Sequence, residues 1–198
     1  MSRYIETIQV FQGELKNLEF HQERFERTRL EALGLKKHPI LKDAISLPHG
    51  LEQGLFKCRV SYRKDIELIE YESHRAHKVH SLKLVHSDTI DYGYKYADRR
   101  NLDELFRQRE GCDDILVVKQ GCLTDSYYAN VLLWDGSSWI TPDTPLLPGT
   151  MRAYLLREGL IKEGRITRAD LAGYQKIKLI NAMNDLQHGP EIPIESIH

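Results

Sequence analysis

Long apolar runs are missing from this 198-residue chain. No segment approaches the roughly 20 apolar residues that a membrane-spanning helix needs. The opening Met1-Ser2-Arg3-Tyr4-Ile5-Glu6 also lacks the apolar stretch of a secretory leader. A soluble, cytoplasmic protein without a membrane partner is the expectation. Cysteine is scarce: Cys58, Cys112 and Cys122 make no CxxC or zinc-type spacing, and their odd number argues against a disulfide framework. Neither sign of charge is in excess, with 28 Lys and Arg against 29 Asp and Glu. The broad positive field of a nucleic-acid binder is therefore absent. Repeats and low-complexity tracts are lacking too. What is present is 41% hydrophobic residues, enough for one large domain or two small ones, each with its own core.

The β-branched stretch Ile5 to Val10, followed by Gln12-Gly13, reads as a strand and tight turn. Leu18 to Leu35 places Leu18, Phe25, Leu30 and Leu33 among charges at helical spacing with Gly34 as a stop, which predicts an amphipathic helix with a charged outer face. Leu55 to Tyr62 and Ile66 to Tyr71 read as paired strands across Arg63-Lys64-Asp65. The polar stretch His74 to Asp91, with one extended apolar run at Leu82 to Val85, carries the expected boundary. Two domains follow: a small α+β domain over 1–88 and a larger one over 89–198. In the second, Asp98 to Glu110 reads as a charged helix and Asp114 to Val118 as a buried strand. Asn130 to Trp134 and Trp139 to Thr141 read as further strands, and Met151 to Glu158 as an amphipathic helix. Beyond these lie Ile161 to Ile166, a short helix from about Arg168, and an apolar run at Ile177 to Met183. Mixed elements in two units predict an α+β architecture.

Four separated segments are chemically complementary. Lys95 lies between aromatics in Tyr92-Gly93-Tyr94-Lys95-Tyr96. In partly apolar surroundings a lysine loses its charge more easily and becomes a nucleophile able to form a Schiff base. A lysine among tyrosines is more often at the surface with its stem laid over the rings. Asp125, in Leu123-Thr124-Asp125-Ser126, is a fixed acid before a strand-forming run, or an ordinary turn aspartate. Leu147-Pro148-Gly149-Thr150-Met151-Arg152 opens a helix, whose unpaired N–H groups and dipole favour phosphate; the plain reading is a helix start. Arg24, in His21-Gln22-Glu23-Arg24-Phe25, offers a planar fork that fits phosphate oxygens, or is one more arginine on a charged helix.

These segments, with Glu6-Thr7-Ile8-Gln9-Val10 ahead of them, Asn130 after Asp125 and Asn181-Ala182-Met183 near the end, stand in one order. In that order the chain resembles the class IV aminotransferase family, which includes D-amino acid aminotransferases and aminodeoxychorismate lyases. The resemblance implies a two-domain fold of the pyridoxal-5′-phosphate (PLP) fold type IV, with a shortened N-terminal domain. It implies PLP as cofactor, with Lys95 as Schiff-base lysine and Asp125 as the acid facing the pyridine nitrogen. Arg24, Asn130, Gly149, Thr150, Met151, Met183 and Asn184 are the implied further cofactor contacts, and Arg63 and Thr7 the implied substrate contacts. The implied activity is that of 4-amino-4-deoxychorismate lyase, releasing 4-aminobenzoate and pyruvate. An aminotransferase on a small or branched amino acid and a non-catalytic PLP-binding protein are the alternatives. A homodimer is the implied assembly.

Three departures from the family pattern stand out. The stretch that normally precedes the Glu-Thr-Ile strand is lacking. Arg100 stands where branched-chain enzymes carry a tyrosine, and Asp125 replaces the usual glutamate. The spacing of His74, His77 and His80 raises the question of a metal. In extended chain His77 faces away from the other two, so a polar linker is the expectation and no metal site is assigned.

Overall fold

The structure, a computed structural model, describes residues 2–198. By its internal contacts the chain divides into two units, 1–76 with 94–98, and 77–93 with 99–198. The expected division near residue 88 therefore falls earlier, at Ala76, and a short segment around Lys95 returns to the first unit. The cause is backbone pairing: Ile5 N donates to Lys95 O at 2.9 Å and Ala97 N to Arg3 O at 2.8 Å, on either side of a bridge between Tyr4 and Tyr96.

In the first unit, β1 (Tyr4–Phe11) turns through Gln12-Gly13 into β2 (Glu14–Leu15). Helix α1 (Leu18–Leu33) follows and ends at Gly34, whose φ of 69° is a left-handed conformation that glycine adopts without a Cβ clash. A one-turn helix α2 (Leu41–Ala44) leads to β3 (Leu55–Tyr62) and β4 (Ile66–Ser73). The antiparallel sheet has the order β2-β1-β3-β4. Side chains alternate along β1, so Tyr4, Glu6, Ile8 and Val10 share one buried face. Against the apolar members of that face pack Phe25, Leu41, Cys58, Val60 and Tyr62. The buried stripe of α1 consists of Phe20, His21, Arg24, Phe25, Thr28 and Arg29, while Leu30 is exposed. The helix thus sinks two arginines and a histidine where the apolar spacing alone pointed to leucines.

The second unit opens with β5 (Leu82–His86), parallel to β6 (Asp114–Lys119) across helix α3 (Arg100–Phe106) and a 3-10 turn at Arg107–Arg109. Then come β7 (Cys122–Ser126), β8 (Asn130–Trp134) and β9 (Trp139–Pro142). Helix α4 (Thr150–Arg157), β10 (Lys162–Gly164), β11 (Lys176–Ile180) and β12 (Glu191–Pro193) complete it. The sheet runs β10-β9-β8-β7-β6-β5, with β11 on the other side of β8. Both faces of β8 are covered. Val131 and Leu133 enter one core with Leu116, Leu123 and Ile177, while Leu132 enters another with Met151, Leu155 and Ile180. Period-two alternation produces this split, and burial on both faces explains why the strand reads as one continuous apolar run.

Candidate functional site

Each unit contributes a buried polar cluster, and each is described on its own. In the first, Glu6 is fully buried on the core face of β1. Its carboxylate receives Arg24 Nε at 3.0 Å on Oε1 and Arg24 Nη2 at 2.5 Å on Oε2, while His21 Nδ1 lies 2.6 Å from Oε2. His21 and Arg24 reach one carboxylate because residues three apart lie on one helix face. Burial alone would raise the Glu6 carboxyl, but the Arg24 guanidinium and His21 together bring it down to about 2. His21 is lowered as well: burial lowers its pKa most, Glu6 opposes this, and the charges of Arg24 and Lys95 lower it further. A carboxylate beside a neutral imidazole is the resulting state, and Arg24 carries the cation.

Lys95 stands in the segment pinned to the edge of β1. The neighbouring rings fix that segment: Tyr96 lies 5.2 Å and Tyr94 6.2 Å from Tyr4, centroid to centroid. Tyr94 also donates through its hydroxyl to Glu31 at 3.1 Å. Arg63 follows β3 and donates to Glu67 Oε1 at 2.7 Å; Arg3 Nε reaches the other oxygen of Glu67 at 2.9 Å. Both arginines line a cleft of about 430 Å³ with Ser2, Tyr96, Ala97 and Asp98. Thr7 is half-buried on the face of β1 opposite Glu6.

In the second unit Asp125 is not in a turn. It lies inside β7, every residue of which is buried, and opposes Asn130 at the start of β8. Asn130 Nδ2 donates to Asp125 Oδ1 at 2.8 Å and to Leu147 O at 2.8 Å, and Leu147 N donates to Asp125 Oδ2 at 2.9 Å. Three residues distant in sequence thereby close one hydrogen-bonded triangle. Burial outweighs these neutral donors, the Arg152 charge and the Leu146 backbone, and pushes the Asp125 carboxyl up to about 7. The loop from β7 to β8 is held by Tyr127 N donating to Asp114 Oδ1 at 3.2 Å, and by the Arg99 guanidinium over the rings of Tyr127 at 4.5 Å and Tyr128 at 4.4 Å.

Gly149 caps α4, and Thr150 and Met151 begin it, both buried. A Cβ on Gly149 would stand 1.9 Å from Asn130 Oδ1. The glycine therefore serves first to admit the asparagine of the triangle. Gly149→Ala should force Asn130 away, destabilise the chain by about 2 kcal/mol and return the Asp125 carboxyl to open titration, which denaturant unfolding and carboxyl NMR would register. Arg152 is spent on structure: Nε donates to Thr141 Oγ1 at 3.2 Å and Nη2 to Pro142 O at 2.9 Å. After β11, Asn181 Oδ1 accepts from Met183 N at 2.8 Å and from Asn184 N at 3.0 Å. The register of Ile180 with Asn130 puts this turn beside the same strand end. Because those two amides are given to Asn181, a cofactor contact at Asn184 would have to come from its side chain.

The structure thus gathers Arg24 with Glu6 and His21 in one unit, and Asp125, Asn130 and Gly149 in the other. Glu6 and His21 were not singled out from sequence, although an acid in phase with Tyr4, Ile8 and Val10 marks a buried ion pair. Among the described residues no group of three or more His, Cys, Asp or Glu is placed to hold a metal ion, and no helix is long and apolar enough to cross a membrane.

The raised carboxyl of Asp125 sets a pH dependence. A folded-state pKa above the unfolded value of 3.8 gives stability that is present below about pH 4 and lost as pH rises through about 7. The slope approaches about 1.4 kcal/mol per pH unit for one proton. In the cofactor-free chain Asp125→Asn should flatten unfolding free energy against pH in that window; an unaltered slope would show that another group titrates there.

Comparison with known proteins places this geometry in context. A model of the family Amino-transferase class IV matches residues 69–192. An uncharacterized protein of Haemophilus influenzae is 39% identical over 183 residues, 91% of this chain and 97% of that protein. A crystal structure from Haemophilus somnus 129PT, of a protein provisionally assigned as a 4-amino-4-deoxychorismate lyase, is 37% identical. It has a TM-score of 0.89 over 94% of this chain and 98% of its own. The PLP-bound form of a hypothetical aminotransferase from Mycobacterium tuberculosis shares the fold at 16% identity, with a TM-score of 0.78 over 99% of this chain and 81% of its own.

Proposed function

The chain belongs to the Amino-transferase class IV family, and from that premise we propose that it is a PLP enzyme acting on an amino-bearing carboxylate, as a lyase that releases pyruvate. The observation that carries the reading is the Asp125 triangle. A buried carboxyl that accepts from the neutral donors Asn130 and Leu147 at 2.8 Å and 2.9 Å is pushed up by its burial. A protonated ring nitrogen is a group that such a carboxyl accepts and that water cannot replace there. The remaining donor chemistry fits the same cofactor, with an amine at Lys95, a guanidinium at Arg24 and a glycine-led helix start at Thr150.

When bound, PLP supplies a carbonyl carbon for covalent attachment and a ring that withdraws electrons from the substrate. The reading assigns Lys95 Nζ as the amine that attaches, and Asp125 as the acid that keeps a proton on the ring nitrogen. The reading assigns Arg24, which also holds Glu6, to the phosphate. Gly149 and Thr150 offer backbone N–H groups at the α4 terminus, and Asn130 keeps Asp125 and Leu147 in place. Arg63 is assigned to a substrate carboxylate, in exchange with Glu67.

The lyase side is supported by the assignment of the Haemophilus somnus protein, and the family match favours an aminotransferase as second reading. Incubation with 4-amino-4-deoxychorismate should yield 4-aminobenzoate and pyruvate in equal amounts. Amino-group transfer from alanine to a keto acid, without 4-aminobenzoate, would establish the second reading. We place the enzyme in solution as a homodimer, to be checked by light scattering across dilution.

A further inference from the structure

We propose that Arg3 and Arg63 form a two-arginine clamp for a substrate carboxylate, with Glu67 as the internal carboxylate that the incoming one displaces. The inference deepens the Arg63 assignment above and rests on it, and it adds Arg3 as a residue that selects the substrate by charge.

Sheet register brings the two arginines together. Tyr4 on β1 pairs with Tyr62 on β3 in antiparallel sense, so Arg3 and Arg63 stand side by side just beyond that pair. Like charges at facing positions of neighbouring strands repel. Backbone bonds nevertheless hold both in place: Ala97 N donates to Arg3 O at 2.8 Å, and Arg63 N to Asp65 O at 3.1 Å in the turn to β4. One carboxylate relieves the repulsion by dividing its oxygens between them. Arg3 Nε donates to Glu67 Oε2 at 2.9 Å and Arg63 Nη1 to Oε1 at 2.7 Å. A ligand carboxylate carries the same two acceptors at the same separation and satisfies the same donors.

The cleft gives such a ligand room. Its volume of about 430 Å³ is that of a small-molecule site. Tyr96 and Ala97, which line it, directly follow Lys95 in the chain. The charged side chains that line it are Arg3, Arg63 and Asp98. Two cations and one anion are matched by a single carboxylate, whereas a phosphate dianion would leave an excess of negative charge. Displacing Glu67 is easy: the side chains of Arg3, Arg63 and Glu67 are 48%, 41% and 29% exposed, and ion pairs so open to water hold their partners weakly.

The test uses 4-aminobenzoate and 4-aminobenzamide, a carboxylate and its uncharged counterpart on one ring, titrated by calorimetry into the full-length chain without added cofactor. The parent should bind the carboxylate about tenfold more tightly than the amide. Glu67→Gln should widen that preference about tenfold further, since the internal competitor is gone. Arg3→Gln should reduce it to within about threefold, alone or combined with Glu67→Gln. Equal binding of the two by the parent, a preference that Glu67→Gln does not widen, or one that survives Arg3→Gln would each overturn the proposal. If Arg3→Gln does not fold, the Glu67→Gln titration still decides. In the cofactor-loaded chain Arg3→Gln should raise KM for 4-amino-4-deoxychorismate more than it lowers kcat. Absence of turnover in the loaded parent would count against the lyase reading, while the calorimetry judges the clamp by itself.

Discussion

Lys95→Ala should lose covalent cofactor attachment altogether and reduce turnover by at least about a thousandfold, with its unfolding midpoint close to the parent's. The expectation of an intact fold comes from how the segment is held. Its anchors are the backbone pairs Ile5 N to Lys95 O and Ala97 N to Arg3 O and the packing of Tyr94 and Tyr96 on Tyr4. None of these uses the lysine side chain. Removal of the amine therefore deletes the nucleophile without releasing the strand edge. Borohydride reduction of the PLP-treated chain, digestion and peptide mass mapping should find the label on Lys95 in the parent and nowhere in the variant. The other lysines that the sequence brings to mind are engaged elsewhere: Lys83 Nζ with Glu110 at 2.5 Å and Lys119 Nζ with the Ile90 carbonyl at 2.6 Å. Label on either of them, or full turnover in the variant, would refute the assignment.

Local pattern made most of the framework readable. Strands β1, β3, β4 and β8 and helix α1 lie within a few residues of where alternation, helical spacing and the Gly34 stop put them. Strand β7 escaped because Cys122-Leu-Thr-Asp-Ser is buried on both faces and so shows no alternation, while its acid imitates a turn. The one-turn helix α2 is too short to show a period. Asp125 and Asn130 were legible as a pair, but the Leu147 backbone that closes their triangle was not, since its amide and carbonyl leave no mark in side-chain identity. The same limit hid the return of Lys95 to the first unit, which depends on backbone pairing with a strand far upstream. Glu6 and His21 are readable only together. His21 alone suggests a solvated helix face, and its contact with Glu6, which Arg24 also holds, accounts for its burial.

Glu6→Gln should be among the most destabilising single changes in the first unit, by about 3–5 kcal/mol in denaturant unfolding at neutral pH. The change is nearly isosteric, so the loss is electrostatic: a buried Arg24 guanidinium keeps its charge while its counter-charge disappears. The acid limb of stability should change with it. Because the folded Glu6 carboxyl titrates at about 2 against an ordinary 4.5, its contribution is present above about pH 4.5 and lost as pH falls toward 2. That share of the acid loss should vanish in the variant. Replacing both partners, Glu6→Leu with Arg24→Met, should recover most of the stability, since two apolar groups leave no buried charge unpaired. The double variant should nevertheless hold PLP poorly, because Arg24 is the group assigned to its phosphate. Full stability of Glu6→Gln, within about 0.5 kcal/mol, would mean that water reaches Arg24. Tight PLP retention by the double variant would remove Arg24 from the phosphate site.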